Sequence, residues 1–263
     1  MDLGFRGEVA ELYQNYRRGY PPTVIAALID AFGLDTTDLV VDLGCGTGQL
    51  GIPLARHVRA VLGVDPEPDM LHRARRTSEE LEVANICWMV GADSDVPTLD
   101  ALLGSRSVGA ITIGQALHWM DHATLFTSAA PLLRPGGGIA VVTNGIPLWL
   151  QDSPWSRALR GFLQEWFATS AQRSCGSDAE SQRRYAESMS SAGMAITESV
   201  VEYADELTLE QVIGGVYSAL SVDQLPPAER RPAFAQQVTE ALAPHAPFVE
   251  QVPVRLLIGR AEE

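Results

Sequence analysis

The chain has 263 residues, enough to bury a substantial core, and its 46% hydrophobic and 20% charged residues are ordinary for a folded protein. A formal net charge of −14 disfavours non-specific binding to nucleic acid or anionic membrane, which needs a basic face. No apolar run is long enough to cross a bilayer, and the opening residues MDLGFRGEVAELYQNYRRGY carry early acids without a hydrophobic signal core, so a cytoplasmic location is expected.

Residues 7–32 read as helical, with Val9, Leu12, Tyr13 and Tyr16 at three- and four-residue spacing, and Pro21 and Pro22 open a second helix. LVVDLG (39–44) is a short apolar run ending in glycine, the pattern of a buried parallel strand. A helix at 47–57, strand AVLGVD (60–65) and a helix at 69–80 follow. ICWMVG (86–91) and VGAITIG (108–114) are further strands, separated by a short helix. A helix at 122–133 stops at Arg134-Pro135-Gly136-Gly137-Gly138, before strand IAVVTN (139–144). Such alternation predicts a parallel α/β sheet with right-handed crossovers.

The rhythm then breaks. Helices at 152–170 and 178–192 have no strand between them, ITESVVEYA (196–204) is a strand, helices at 208–220 and 227–243 come next, and VEQVPVRLLIGR (249–260) closes the chain. The extra helices, about 147–192 and 206–244, read as a cap on one domain whose core is about 34–145 and 196–260. Cys45, Cys87 and Cys175 are scattered and form no CxxC pair, and the five histidines lack HExxH spacing, so neither a disulfide framework nor a metal site is expected. The cluster of Arg73, Arg75 and Arg76 lies beside Glu79 and Glu80 and reads as a solvated helix face.

The informative segment is VVDLGCGTGQLGIPLA (40–55). Gly44, Gly46 and Gly48 occupy the turn after the first strand, where alternate glycines let backbone approach a ligand. A nicotinamide dinucleotide site would use GxGxxG with its last Gly packing helix on strand, whereas the turn here reads GxGxG with an acid two residues before it; the Lys of a triphosphate loop is absent. About twenty residues on, Asp65 ends the second strand, where an acid can accept hydrogen bonds from both hydroxyls of a ribose. Its competing reading is a helix cap, an office that Asp69 or the Pro-Glu-Pro stretch fills better.

Together, DLGCGTGQL, GVDPEPDML, QALHWMD and LLRPGGGIAVV resemble the class I S-adenosylmethionine-dependent methyltransferases, in an order similar to the trans-aconitate and ubiquinone/menaquinone C-methyltransferase group. The resemblance covers about residues 10–145. It implies a Rossmann-like, seven-stranded, mostly parallel sheet with an antiparallel last strand, holding S-adenosyl-L-methionine, and S-adenosyl-L-homocysteine as product, at its C-terminal edge. It would set Asp42 and the Gly44–Gly48 loop against the methionine part, Asp65 on the ribose diol, Met70 near the adenine and Asp93 on the adenine amino group, Ala92 offering only backbone. YxxYRRGYPP (13–22) resembles the segment that closes over the cofactor. There Arg17 can pair with the cofactor carboxylate, and Tyr13, Tyr16 or Tyr20 can set an aromatic face near the sulfonium. The other reading makes Tyr13 and Tyr16 packing residues and Arg17 a surface charge.

In such an enzyme the main task is placing the acceptor atom in line with the methyl group, away from water. His118 is the candidate base, with the alternative that His118 and Trp119 only roof the cofactor; Gln115, at a strand end, would meet the methionine part through its backbone. Trp155, Leu159, Phe162 and Trp166 share a helix face, with Trp149 just before it, a stripe that is more often core than pocket. A tryptophan-rich lid nevertheless suggests a small apolar or aromatic methyl acceptor, for which Tyr13, Trp119 and Trp149 are the candidate contacts. The sequence leaves open a protein acceptor, a cyclase or a non-catalytic binding module on the same fold, and at fold level a nicotinamide dehydrogenase.

Overall fold

A computed structural model describes residues 4–167 and 175–261. Seven strands form one sheet: β1 (Leu39–Leu43), β2 (Ala60–Asp65), β3 (Ile86–Val90), β4 (Val108–Gly114), β5 (Leu133–Asn144), β6 (Met194–Leu207) and β7 (Phe248–Ala261). Their spatial order is β3-β2-β1-β4-β5-β7-β6, with β7 antiparallel to both neighbours and the remaining pairs parallel. This is the mostly parallel sheet with an antiparallel last strand that the sequence implies. Its first half reverses direction of travel between β1 and β4, which opens a crevice at the strands' C-terminal ends.

The apolar strands are explained by burial on two faces. Val40, Ala110 and Val142 point into one core with helices α2 (Pro22–Phe32) and α3 (Gly51–Ala55). Their neighbours Val41, Ile111 and Val141 point into the other, with α5 (Val96–Leu103), α6 (His122–Ala129) and α8 (Ala179–Ser191). The remaining helices are α1 (Glu8–Tyr16), α4 (Pro68–Glu80), α7 (Pro154–Phe167), α9 (Leu209–Tyr217) and α10 (Arg231–Leu242). None of the helices among the described residues is long and apolar enough to cross a membrane.

Two boundaries depart from the sequence reading for local reasons. The helix expected at 47–57 is only Gly51–Ala55, because Gly44, Gly46 and Gly48 all hold positive φ and keep the backbone out of the right-handed helical region. Strand β5 begins at Leu133 rather than 139. Its register jumps from Val108↔Leu133 to Ala110↔Gly138, so the Arg-Pro-Gly-Gly-Gly run is an excursion within the strand rather than a stop before it. Arg134 pins that excursion to the start of β1 by donating to Asp38 at 2.5 and 3.0 Å and to the Phe32 carbonyl at 3.1 Å.

The helices beyond β5 divide. α8 lies on the sheet beside α6, contributing Tyr185 and Met189 to the second core. α7, α9 and α10 build a third core in which Phe234 is fully buried, with Phe162 and Trp166 each 5.2 Å from it, centroid to centroid. Burying one such ring contributes on the order of 2–3 kcal/mol. Trp155 is 2% exposed, lies beside Phe248 and donates its indole N–H to the Val249 carbonyl at 2.9 Å. The tryptophan stripe is therefore the interior of the cap. The expected end of that helix, residues 168–170, lies outside the described residues.

Candidate functional site

The C-terminal ends of β1, β2 and β4 converge on the glycine turn. Gly44 donates its amide to the Val64 carbonyl at 2.8 Å, and a Cβ there would collide with the Ala116 side chain that follows β4. The loop can pass between those two strands only without a side chain at that position. Asp65 holds the loop from below: Oδ2 accepts the Gly46 N–H and Oδ1 the Glu67 N–H, both at 2.9 Å. The cap of α4 falls to Glu67, which accepts from Asp69 N, so Asp65 is not spent on that helix end. Burial pushes the Asp65 carboxyl above its ordinary range, against the two backbone amides.

Asp42 sits one layer deeper, 1% exposed. Its Oδ1 accepts the Thr112 hydroxyl at 2.9 Å, while Oδ2 is buried without a hydrogen-bond partner. Burial is the main reason its carboxyl is raised to about 7; Thr112 and the Gly51 backbone oppose the rise, and the negative Asp65 adds to it. Thr112, one strand over, is a partner that the sequence did not single out, because nothing in a continuous apolar run marks which hydroxyl faces an acid 70 positions away.

The chain segment ahead of β1 lies across this edge. Tyr13 Cε1 would be 3.8 Å from a Cβ on Gly46, and the Arg17 guanidinium carbon stands 5.3 Å from the Tyr13 ring centroid. Burial raises the Tyr13 hydroxyl above its usual range; Arg17 lowers it, and Asp65 and Cys175 raise it further. Arg17 reaches the Ser218 carbonyl at 3.5 Å, its Nε is buried without a partner, and no carboxylate among the described residues pairs with it. Tyr20 brings its hydroxyl over Gly114 at the end of β4, where a Cβ would sit 2.5 Å away.

On the far side, Gln115 adopts φ 56° and donates its side-chain amide to the Asn144 carbonyl at 3.1 Å, its own backbone N–H going to Val142. His118 lies in a short 3-10 turn, 5.0 Å from the Trp119 ring. Burial first and the neighbouring Arg17 second hold its imidazole down at about 4, so it is neutral at neutral pH. Trp119 is 43% exposed, and Phe5 stands edge-on to both Trp119 and Tyr13. Cys175, Gly176 and Tyr185 share a small cavity with His118, a set that sequence spacing had no means of joining.

The other expected residues make the following contacts. Tyr16 turns toward α9, packing its ring on Gly214 and donating its hydroxyl to Glu210 at 3.1 Å. Met70 is buried in the first turn of α4, close behind Asp65 in the chain. Asp93 accepts the Asp121 backbone N–H at 2.9 Å, and the Ala92 N–H is taken by Asp95 at 2.8 Å. Trp149 packs at the margin of the cap core with its indole N–H buried and unpartnered.

Comparisons with known proteins match the segment that carries the glycine turn and the fold around it. Residues 40–137 match the family model described as a methyltransferase domain. An uncharacterised methyltransferase of Mycobacterium tuberculosis is 34% identical over 144 residues, 55% of this chain and 53% of that protein. A Saccharomyces cerevisiae protein named "Probable S-adenosylmethionine-dependent methyltransferase CRG1" is 27% identical over 49% of this chain and 43% of its own length. The chain spans about half the length of the curated relatives it matches. Among solved structures, the YcgJ protein of Bacillus subtilis shares the fold with a TM-score of 0.58 and 16% identity, covering 92% of this chain and all of that one. A geranyl diphosphate methyltransferase solved with GPP and sinefungin superposes with a TM-score of 0.50 and 18% identity, over 91% of this chain and 77% of that one.

Proposed function

We propose that this chain transfers the methyl group of S-adenosylmethionine to a small-molecule acceptor, acting as one methyltransferase domain whose first helix and cap close over the site. The observation that carries this reading is Arg17, a guanidinium with a buried, unpartnered Nε set beside Tyr13, the ring that lies next to Gly46 of the glycine turn. A half-buried guanidinium with no carboxylate partner among the described residues is under-satisfied, and a ligand carboxylate is the group that relieves it through paired N–H donors.

The residues present fit the cofactor. Each Asp65 oxygen accepts one backbone N–H and retains a lone pair, so the carboxylate can also take the two hydroxyls of a ribose. Gly46 presents bare backbone toward Tyr13, leaving the turn open to a ligand that a side chain would block. Asp42, in its ionised form, would supply negative charge beneath the amino group of a methionine moiety. Met70 and Asp93 are the residues we assign to the adenine, and Gln115 to the methionine part. When bound, the cofactor supplies an electrophilic methyl group on a sulfonium.

The chain's own part is placement and exclusion of water. Tyr13 and Tyr20 would cover the turn, their rings facing the cation. His118, neutral through burial, is able to accept a hydrogen bond or a proton from the acceptor, although an imidazole near 4 is a weak base. Because the tryptophan stripe is spent inside the cap, support for an apolar acceptor rests on Trp119 and Trp149 at the margins, and on the fold relative that acts on geranyl diphosphate. Tyr16, the last residue of α1, packs on Gly214 and bonds Glu210 of α9, which assigns it to holding the first helix in place.

Calorimetry with S-adenosylhomocysteine tests this reading. Binding by the native chain, weakened at least tenfold in Arg17→Ala and partly restored in Arg17→Lys, is the expected result. Absence of binding to the native chain overturns it.

A further inference from the structure

Helices α6 and α8 pack side by side on the sheet, and a pair of that kind ordinarily fills its seam with apolar side chains. Here the outer part of the seam is polar. Arg184 lies three and four residues before Glu187 and Ser188, and these lie four and three before Ser191, so the four share one face of α8, facing His122 and Thr127 of α6. Ala123 and Ala192 fill little of the space between them, and a cavity of about 400 Å³, open to solvent, results. That volume falls within the range of small-molecule sites.

The inner wall is built rather than incidental. His122 Nδ1 and Ser188 Oγ are hydrogen-bonded at 2.8 Å across the two helices, and the Tyr185 ring meets the imidazole edge-on at 5.2 Å. This fixes the ring orientation and leaves one hydroxyl and one imidazole edge along the wall. The charges on this face are differently engaged. Arg183 donates to Glu187 at 2.5 Å and to Glu180 at 2.7 Å, so the Glu187 carboxylate on the lining shares one cation, whereas Arg184 has no ion-pair partner among the described residues. Arg184 is thus the guanidinium a ligand meets beside the hydroxyl groups, with Glu187 on the same lining tied to Arg183. Burial and Arg184 both hold His122 below its ordinary range, against the opposing pull of Asp121, so the guanidinium field reaches the imidazole.

We propose that the α6–α8 cavity is a second small-molecule site, which takes a ligand by a carboxylate or phosphate group, with Arg184 as counter-ion and the Ser188–His122 pair as its hydrogen-bonding wall. The assignment does not depend on the methyl-transfer reading. The site stands apart from the glycine turn, with Tyr185 between it and the small cavity that holds His118.

The test is a titration of the full chain with inorganic phosphate and, separately, with acetate at constant ionic strength, followed by the His122 ring resonances, which are assigned from a His122→Gln spectrum. A bound anion facing Arg184 relieves its effect on His122, so saturable movement of those resonances with one of the two anions is expected; which anion saturates identifies the preferred group. In Arg184→Ala, an exposed position whose loss leaves no partner bare, the dissociation constant should rise roughly tenfold, and in Ser188→Ala a few-fold. Non-saturating movement with both anions, or an unchanged response in Arg184→Ala, overturns the proposal.

Discussion

Asp65 Oδ2 accepts the backbone N–H of Gly46 at 2.9 Å, so the acid that ends β2 holds in place the turn that leaves β1. The same carboxylate thereby both shapes the glycine turn and borders the space above it. Asp65→Asn keeps the volume but turns one acceptor into a donor facing a backbone N–H. We expect the fold to persist and affinity for S-adenosylhomocysteine to fall by roughly ten- to a hundred-fold, since a charge-assisted bond contributes about 1.5–3 kcal/mol. Calorimetry on native and variant chains, with circular dichroism as the control for folding, decides this; equal affinities would remove Asp65 from the binding surface.

The buried Asp42 gives a pH signature. Its carboxyl, raised to about 7, lies above its unfolded value, so its contribution to stability is present at low pH and is lost as pH rises through 7. A cationic ligand favours the ionised form, and its affinity should therefore strengthen as pH rises from 6 to 8, roughly following ionisation at 7. Asp42→Asn, which can still accept from Thr112, should flatten that dependence and raise the ligand-free melting temperature at pH 8. Binding measured across this range that runs the opposite way would contradict the assignment.

His118 behaves in the other direction. Its imidazole is held at about 4, below its unfolded value, so its stabilising contribution is present above about 6.5 and is lost as pH falls between 6.5 and 4, by up to about 3 kcal/mol. Replacing it with Asn should shrink the acid-side loss of stability in that window. If it also serves as the base, turnover in His118→Ala should fall by about a hundredfold with cofactor affinity retained, and the acid limb of kcat/KM should lie near 4 rather than near 6.5. A limb at 6.5 would assign the titration to another group.

Gly214 on α9 lies directly beneath the Tyr16 ring, and a Cβ there would overlap several ring atoms. Gly214→Ala has no backbone penalty of its own on a helix, so its effect reports the packing of α1 alone. We expect about 1–3 kcal/mol of lost docking energy and faster proteolysis between α1 and α2, with the sheet intact. Unchanged proteolysis would show that Tyr16 is not what seats the first helix.

Much of the fold was legible because strand burial leaves a strong local trace. LVVDL and AVLGVD are apolar on both sides since both faces of β1 and β2 are covered, and the glycines after β1 mark the one turn that must pass between two strands. The extent of β5 was not legible: an Arg-Pro-Gly-Gly-Gly run normally ends an element, and only the register with β4 and the ties from Arg134 to Asp38 and Phe32 keep it within a strand. Tyr13 and Tyr16 show the same limit at the site. They lie three residues apart on α1 with the same helical periodicity, and the fold sends one to the glycine turn and the other to α9.

From the order of its residues alone, this chain dictated a parallel α/β sheet, a glycine turn after β1 and an acid at the end of β2, because those features depend on backbone sterics and on burial that repeats every second residue. The tertiary structure alone decided that Thr112 meets Asp42, that Arg17 lacks a carboxylate partner among the described residues, that the tryptophans of α7 face inward and that α6 and α8 border an open cavity. Each of these is a meeting of groups far apart in the chain, where no local preference distinguishes one partner from another and only the packing of whole elements brings them within reach.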